Sequence, residues 1–571
     1  MHKILQSLTL SLLVVGCLFL FHSCAKQGYP SGGPKDTTPP VVKGVNPASE
    51  SLNFSSNKFK IDFDEYVTVK DADNNVLISP PMRSKPEYST KGHSLIVKIK
   101  DTLLPNTTYL FQFKGAIVDF NEGNPLPSFE YVFSTGDAID SMALSGKVLD
   151  ALSLQPFASP VSLFAYLISD STTLSDSLVS KSVPTYQTRT SASGDFAFNY
   201  MAPGNYILVA IDDADKNMRY SSPEAFAWLD TIVHPHLMPH SPSADSAAHD
   251  SLSLHTSADS SALPSLTLYI SAQETSVQRV TNSSFVGKGE AQIITQSPMQ
   301  NPSLQCDSIV WTLLPHRDTI RLWTLRQSCD SLTIVITDSA TSLLDTLTLK
   351  YREPKKSKRN SSFQPLDLCK IQSLVGSSLH YFDTIKVQFS TPIRQASLDS
   401  IPLLLLADSS LSYAKALLDT SRTSALIIPS SPLRQGESYK VHIPRNACYD
   451  IYNRPNDSLS FVTTLTKEED YGTITIDFTA SIAQLQSPIL QLLNDKGDIV
   501  LQQAVTSHSV TFNHLKPSSY NLRLFDDIDQ NLQWTPGSYY DHRQPEQVIY
   551  FPKTLQLRAN WEMAETWQLQ P

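Results

Sequence analysis

Past residue 23 the chain has no long hydrophobic run, which excludes a later membrane-spanning helix of the roughly 20 apolar residues a bilayer requires. Cysteine is scarce, with 6 in 571 residues; a chain this long has core enough to fold without a disulfide framework. There is no basic excess either: 45 Lys and Arg stand against 55 Asp and Glu, a net charge of −10, which argues against nucleic acid as a partner because that calls for a basic face. Helical periodicity is almost absent. So are the signatures of chemistry: there is no Gly-x-Ser-x-Gly elbow, His-Glu-x-x-His pair, phosphate loop or dinucleotide fingerprint. Ser55-Ser56-Asn57-Lys58 has the Ser-x-x-Lys spacing but precedes a strand-like run and lacks the partner motifs of that chemistry. Asp64 and Glu65 end the run Ile61-Asp62-Phe63-Asp64-Glu65; as neighbours on a strand they face opposite ways and cannot work as a pair. The reading is non-enzymatic.

The chain does, however, say one thing twice. Residues 202–217, Ala-Pro-Gly-Asn-Tyr-Ile-Leu-Val-Ala-Ile-Asp-Asp-Ala-Asp-Lys-Asn, return without a gap at 516–531 as Lys-Pro-Ser-Ser-Tyr-Asn-Leu-Arg-Leu-Phe-Asp-Asp-Ile-Asp-Gln-Asn. Upstream, Phe198-Asn199 meets Phe512-Asn513, and ahead of each copy Leu103, Tyr109 and Asp119 correspond to Leu433, Tyr439 and Asp450. A repeat fixes how a chain divides into units; here the unit is a pair of β domains used twice. Alternating runs such as Lys58-Phe59-Lys60-Ile61-Asp62-Phe63 and Ser94-Leu95-Ile96-Val97-Lys98-Ile99 are punctuated by Pro, Gly, Asn and Asp, which is the pattern of β-sandwiches. The expected fold is all-β, a series of tandem sandwiches. Domains are expected at 39–137, 142–230, 265–351, 365–466 and 471–537, with a strand-like tail at 538–571. The tract 234–264, rich in Ser, Ala, Asp and His, has too little apolar content to fold and reads as a disordered linker. Its histidines, His234, His236, His240, His249 and His255, suit a solvated linker better than a metal site. A second, basic linker carries Lys355, Lys356, Lys358 and Arg359.

At the N-terminus, Lys3 precedes an apolar run over 8–21 that has the length of a signal-peptide core. Ser23-Cys24 at its end resembles a bacterial lipobox, with 1–23 as signal peptide, Cys24 as the acylated first residue and 24–38 as a flexible leader. An ordinary secretory signal is the alternative. The lipid would be the only anchor to a membrane.

Thr38-Pro39-Pro40-Val41-Val42, the run 61–65, the turn Leu104-Pro105-Asn106-Thr107-Thr108-Tyr109, Asp119 with Asn124-Pro125-Leu126, and Phe133-Ser134-Thr135 together resemble the S-layer-type bacterial Ig-like domain. The block 365–466 keeps a degraded version in Phe389-Ser390, Tyr439, Asp450, Asn453 and Phe461-Val462-Thr463. Ser145-Gly146-Lys147-Val148, Gly194-Asp195-Phe196 and Pro203-Gly204-Asn205-Tyr206 make 142–230, and its copy at 471–537, similar to transthyretin-like or carboxypeptidase-regulatory-like modules, whose sandwiches are prealbumin-like. With the Cys24 leader, the whole resembles a group of outer-membrane lipoproteins of the Bacteroidota. The resemblance implies location and fold, and no activity.

The repeated acidic run is the candidate for local chemistry. Asp213, Asp215 and Asn217, with Glu224 downstream, are matched by Asp527, Asp529, Asn531 and Glu546. Oxygen ligands so spaced suit Ca²⁺, yet the glycine that an EF-hand-type loop has at its sharp turn is missing, with Met218 and Leu532 in its place. The alternative is a turn in which the acids bond their own backbone. Cys306 and Cys329, each in a Cys-Asp-Ser context, are either a disulfide or two buried thiols. Asp-Ser or Asp-Thr before an apolar residue recurs, as at Asp101-Thr102-Leu103, Asp345-Thr346-Leu347 and Asp457-Ser458-Leu459. The triplet resembles the O-glycosylation acceptor of exported Bacteroidota proteins and is also ordinary turn chemistry.

The expected function is a lipid-anchored, non-enzymatic scaffold at the outer membrane, with envelope proteins as partners. An accessory role in an outer-membrane assembly or secretion machine is one alternative. Another is glycan binding or processing, which would want exposed aromatics among Trp228, Trp311, Trp323, Trp534, Trp561 and Trp567. Acylation at Cys24 makes Cys24→Ser a soluble periplasmic protein. A variant that stays with membranes and still takes up a palmitate analogue would refute the anchor.

Overall fold

The computed structural model describes residues 36–168, 176–238, 266–272, 278–314, 316–325, 331–339, 343–352 and 368–569. Cys24 and the rest of the N-terminal stretch lie outside them, as do Cys329 and most of the Ser/Ala/Asp/His tract. As expected, nearly all regular structure is β, and the chain divides into two compact units. One comprises 1–147, 160–210 and 229–266; the other comprises 148–159, 211–228 and 267–571.

In the first unit, two antiparallel sheets enclose an aromatic core. One orders Val42–Asn46, Lys58–Phe63, Ser94–Lys98 and Glu87–Lys91; the other orders Val76–Ser79, Thr108–Phe113 and Phe129–Ser134. The alternation of Lys58–Phe63 does what its pattern dictates: Phe59, Ile61 and Phe63 point inward while the residues between them meet water. Phe59 stacks on Tyr131 with ring centres 4.1 Å apart, and Phe54 on Phe133 at 3.9 Å. The strand ends at Phe63, so Asp64 and Glu65 lie in the following bend rather than on the strand. Asp64 accepts the N–H of Val41 there, at 2.8 Å. The same unit holds the first part of Met142–Asp150, as far as Lys147, paired with Asp195–Met201, and Ser162–Ile168 paired with Tyr186–Arg189. His236–Leu237, which composition alone assigns to the linker, instead pairs with Met142 and Ala143. Buried Val233, bridged to Tyr206, carries the chain onto that edge.

The second unit contains three further sets of sheets. Val280–Gly287, Glu290–Thr295, Thr319–Thr324 and Ile309–Leu313 face Pro302–Gln305, Ser331–Asp338 and Leu343–Lys350 across one core. An eight-stranded sheet runs from Ile371–Ser373 to Ser378–Leu379, with Ile401–Leu405 between Leu411–Leu418 and Ser438–Ile443. The last set orders Ser509–Leu515, Gly472–Phe478 and Glu562–Trp567 in one sheet, and Ile499–Ala504, Pro488–Leu493, Ser518–Asp526 and Val548–Tyr550 in the other. The stretch expected to be a tail thus completes both sheets, and Trp567 lies in their core.

The tyrosines of the repeat hold equivalent turns. Tyr109 accepts the N–H of Leu104 at 2.9 Å, and Tyr439 that of Arg434 at 2.8 Å. Gly472 marks the tightest strand contact in the last sandwich. A Cβ there would meet the carbonyl oxygens of Trp561 and Arg558 at 2.8 and 2.9 Å, whereas one at Gly44 would meet nothing within 4 Å. Gly472→Ala is therefore expected to cost about 1–3 kcal/mol through overpacking, and Gly44→Ala to leave the melting profile in place. Equal effects in differential scanning calorimetry would contradict this packing.

Candidate functional site

Each acidic run begins where a buried strand ends, Asn205–Ile211 in the first copy and Ser518–Asp526 in the second. Asn205–Ile211 is apolar at every position after Asn205 because both faces are covered, whereas Ser518–Asp526 carries Asn521 and Arg523 among its apolar residues. In both copies an aspartate marks the exit from the sheet. At the strand start, the hydroxyl of Tyr206 donates to the carbonyl of Ala202 at 2.9 Å, and that of Tyr520 to the carbonyl of Lys516 at 2.7 Å. At the end, Asp212 accepts the hydroxyl of Ser159 at 2.9 Å, and Asp526 accepts the amide of Ser487 at 2.7 Å.

The loops beyond are built alike. Asp213 accepts the N–H groups of Asn217 at 3.0 Å and Met218 at 3.1 Å; Asp527 accepts those of Asn531 at 3.0 Å and Leu532 at 2.9 Å. Asp215 takes the side-chain amide of Asn217 at 2.7 Å, and Asp529 that of Asn531 at 3.0 Å. Glu224 reaches back to the N–H groups of Ala214 and Ser221 at 3.0 and 2.9 Å. Glu546 reaches back to those of Ile528 and Thr535 at 2.8 and 2.9 Å. The structure therefore brings the predicted acids together. In each loop, oxygens of Asp213, Asp215 and Glu224, or of Asp527, Asp529 and Glu546, lie within 4.8 Å of one another. Asn217 and Asn531 serve differently: their oxygens accept the N–H groups of Arg219 and Gln533, each at 2.6 Å, and so face the backbone.

The missing glycine is explained by the backbone. Met218 and Leu532 adopt the left-handed conformation a glycine would take freely, with φ of 59° and 62°. Lys216 and Gln530 do the same at 59° and 58°. Such residues cost on the order of 1 kcal/mol each, and the carboxylate that captures the N–H of Met218 or Leu532 holds them in place. Burial pushes the Asp213 carboxyl up, aided by nearby Asp215. Burial likewise raises Glu224 and Glu546, with the neighbouring aspartates adding to it. Chemically, each cluster presents hard oxygens with a deficit of positive charge, already tied to its own amides.

Sequence reasoning missed what lies between the acids. In the second unit, Tyr220 of the first loop packs on Tyr539 of the second, ring centres 4.2 Å apart, and Tyr539 meets Phe226 edge-on at 4.9 Å. Gln544 donates to the carbonyl of Trp228 at 3.2 Å, and Gly537 to the Ser271 hydroxyl at 3.0 Å. Leu152, Trp534 and Tyr550 pack on Ile489, Phe525 and Val548. An aromatic inside each acidic loop, at 220 and 539, was the available signal.

The other candidates fall as follows. Cys306 is half-buried after the strand Pro302–Gln305, and its proposed partner Cys329 lies outside the described residues. Trp228, Trp323 and Trp567 are buried, Trp311 and Trp534 half-buried, and Trp561 is 46% exposed with Arg558 over its ring. In the Asp-Ser/Thr triplets, Asp101, Asp345 and Asp457 each accept the next residue's N–H at 3.0, 2.8 and 2.8 Å; Asp101 and Asp457 do so outside the strands, Asp345 within Leu343–Lys350. No helix among the described residues is long and apolar enough to cross a membrane.

Residues 36–135 match the bacterial Ig-like domain family. The match covers the first sandwich, where Asp119 gathers the N–H groups of Glu122, Gly123 and Asn124 at 2.6, 2.9 and 2.8 Å. None of the curated proteins matches the chain. Among solved structures, the N-terminal part of the bacterial S-layer protein SbsC is similar at 12% identity and a TM-score of 0.17, over 32% of this chain and 43% of that one. The chain thus spans less than half the length of that structure. The major pilin subunit BcpA of Bacillus cereus is similar at 8% identity and a TM-score of 0.14, over 75% of this chain and 98% of that one. The Bacillus anthracis TIE protein is similar at 10% identity and a TM-score of 0.13, over 94% and 76%. Scores this low carry no functional content.

Removing the 1%-exposed Asp527 carboxylate strands two loop N–H groups, so Asp527→Ala is expected to cost about 1–3 kcal/mol. Calcium held by the folded loops would raise the melting temperature with its concentration, and the variant would lose part of that rise. A melting temperature independent of calcium, with the Asp527→Ala cost intact, leaves the loops as turns tied by their own amides.

Proposed function

We propose that the protein is a non-enzymatic, lipid-anchored β scaffold of the bacterial outer membrane that acts by holding other envelope proteins. One observation carries this reading: in the candidate site the carboxylates are committed to the chain itself. Asp213, Asp527, Glu224 and Glu546 each accept backbone N–H groups from their own loop, and the two loops pack on each other through Tyr220 and Tyr539. A general acid or nucleophile needs a group free to meet a substrate, and these groups serve the architecture. The bacterial Ig-like domain at 36–135 supports a modular chain, since sandwich domains of this kind lend themselves to series. The anchor rests on the sequence around Cys24. Glycan binding is the second reading, and what supports it is the exposure of Trp561 together with rings such as Tyr66, Phe120, Tyr413 and Tyr540.

Cross-linking on native membranes followed by capture of this chain is expected to yield envelope proteins in fixed ratio to it. Capture that yields none, together with retention of the purified chain on polysaccharide, would replace the scaffold by a glycan-binding protein.

A further inference from the structure

The two copies of the repeat differ at one sheet edge. In the first, Tyr186–Arg189 pairs with Ser162–Ile168 on one side and lies against Val76–Ser79 on the other. Across that second side, Gln187 donates its N–H to the Ser79 hydroxyl at 3.2 Å and its side-chain amide to the Ile78 carbonyl at 2.8 Å. Arg189 donates to the Asn74 carbonyl at 2.8 Å. Tyr186 and Thr188 alternate with these and turn to their own core, where the Tyr186 and Tyr206 rings lie 5.9 Å apart, and are buried at 4% and 3% exposure.

In the second copy the strand at the same place is Ile499–Ala504, which pairs with Pro488–Leu493 on one side. No strand among the described residues pairs with its other side. All six residues are exposed, Ile499 at 49% and Val500 and Leu501 at 42% each. The reason lies in the preceding block. Among the described residues Val76–Ser79 pairs with Thr108–Phe113 alone, the strand of Tyr109, so its outer edge is open to a neighbour. Its counterpart Ile401–Leu405 pairs with Ser438–Ile443, the strand of Tyr439, and also with Leu411–Leu418. That edge is already taken, so Ile499–Ala504 has no acceptor of the kind that covers the first copy.

The strand also lacks two of the usual protections of an edge: Ile-Val-Leu-Gln-Gln-Ala contains no charge and no proline. Its one irregularity is a bulge at Val500, and residues 501–504 run in unbroken register with their neighbour. A strand without charge meets no like-charge repulsion against a copy of itself. Antiparallel pairing about a two-fold axis closes on itself, leaving neither edge open, whereas pairing with a different edge would propagate.

We propose that Ile499–Ala504 is a dimerisation edge, taken up by the same strand of a second copy so that the two sheets run on as one. The proposal rests on the scaffold reading only in taking the protein to act through contacts. A monomer would overturn the dimer and leave that reading to its own cross-linking test.

The test is sedimentation of the purified full chain over a concentration series. The wild type is expected to shift from monomer to dimer. The double variant Val500→Lys, Leu501→Lys is expected to raise the dimer dissociation constant by about tenfold or more, since like charges then face each other across the edge. At concentrations where the wild type is monomeric its melting temperature should hold, because both side chains are 42% exposed in the single chain. Leu344→Lys, at another exposed position (72%), should change nothing. A photo-cross-linker at Gln503 should join two copies of the chain. A wild type that stays monomeric, a dimer indifferent to the double variant, or a Gln503 cross-link to some other protein in place of a second copy would each overturn the proposal.

Discussion

A carboxylate that collects the backbone N–H groups of the loop following it is the interaction on which this fold depends. Asp213 and Asp527 do this in the two acidic loops. In the Ig-like domain Asp119 takes three such groups. Asp450 takes those of Tyr452 and Arg454, and Asp338 does the same for a loop earlier in the chain, at Gln300 and Asn301. Hydrogen bonds to a charged acceptor contribute about 1.5–3 kcal/mol apiece, and stranding their donors costs comparably. A sandwich domain leaves its connecting loops outside the sheets, where their amides have no ladder to join. In a chain with so few cysteines, buried aspartates do for these loops what disulfides do in smaller exported domains.

The same bonds explain why the acidic loops tolerate left-handed methionine and leucine. The Asp213 and Asp527 carboxylates fix the N–H of Met218 and Leu532 directly, which outweighs a backbone cost on the order of 1 kcal/mol. Fixing those residues sets the course of the chain onward to Tyr220 and Tyr539. The aromatic contact between the copies is thus a consequence of the acid turn. It also gives the duplication a physical meaning, since in the second unit one loop of the repeat is a partner for the other.

Local features of this fold are legible in the sequence. Alternation along Lys58–Phe63 predicts its inward face, and the recurrence of Tyr206 at Tyr520 marks the same bonded turn twice. Asp213 meets Asp215, and Asp527 meets Asp529, because a spacing of two residues is local to one turn; Glu224 and Glu546 join them from further along the chain, at a different separation in each copy. What the sequence hides depends on contacts distant along the chain. His236–Leu237 is too short for a period and becomes a strand only by lying beside Met142. The strands of 548–567 are decided by the sheets they complete, with Glu562–Trp567 running parallel to Gly472–Phe478. Tyr220 meeting Tyr539 leaves no periodic trace at all.

Divergence between the copies follows the same physics. Where a residue's partner is local, as with each aspartate and its loop amides, the copies agree nearly atom for atom, because the partner was duplicated along with it. Where the partner belongs to a neighbouring block, the copies part. Tyr186–Arg189 was shaped against an open edge, and Ile499–Ala504 beside a block whose edge Leu411–Leu418 had closed. The first strand carries the charge of Arg189, which donates to the Asn74 carbonyl across that edge; the second, without such a contact, is uncharged and exposes isoleucine, valine and leucine. Ile499, Val500 and Leu501 stand together on an edge that carries no charge and no proline, and pairing with a second copy would take part of that apolar surface out of water.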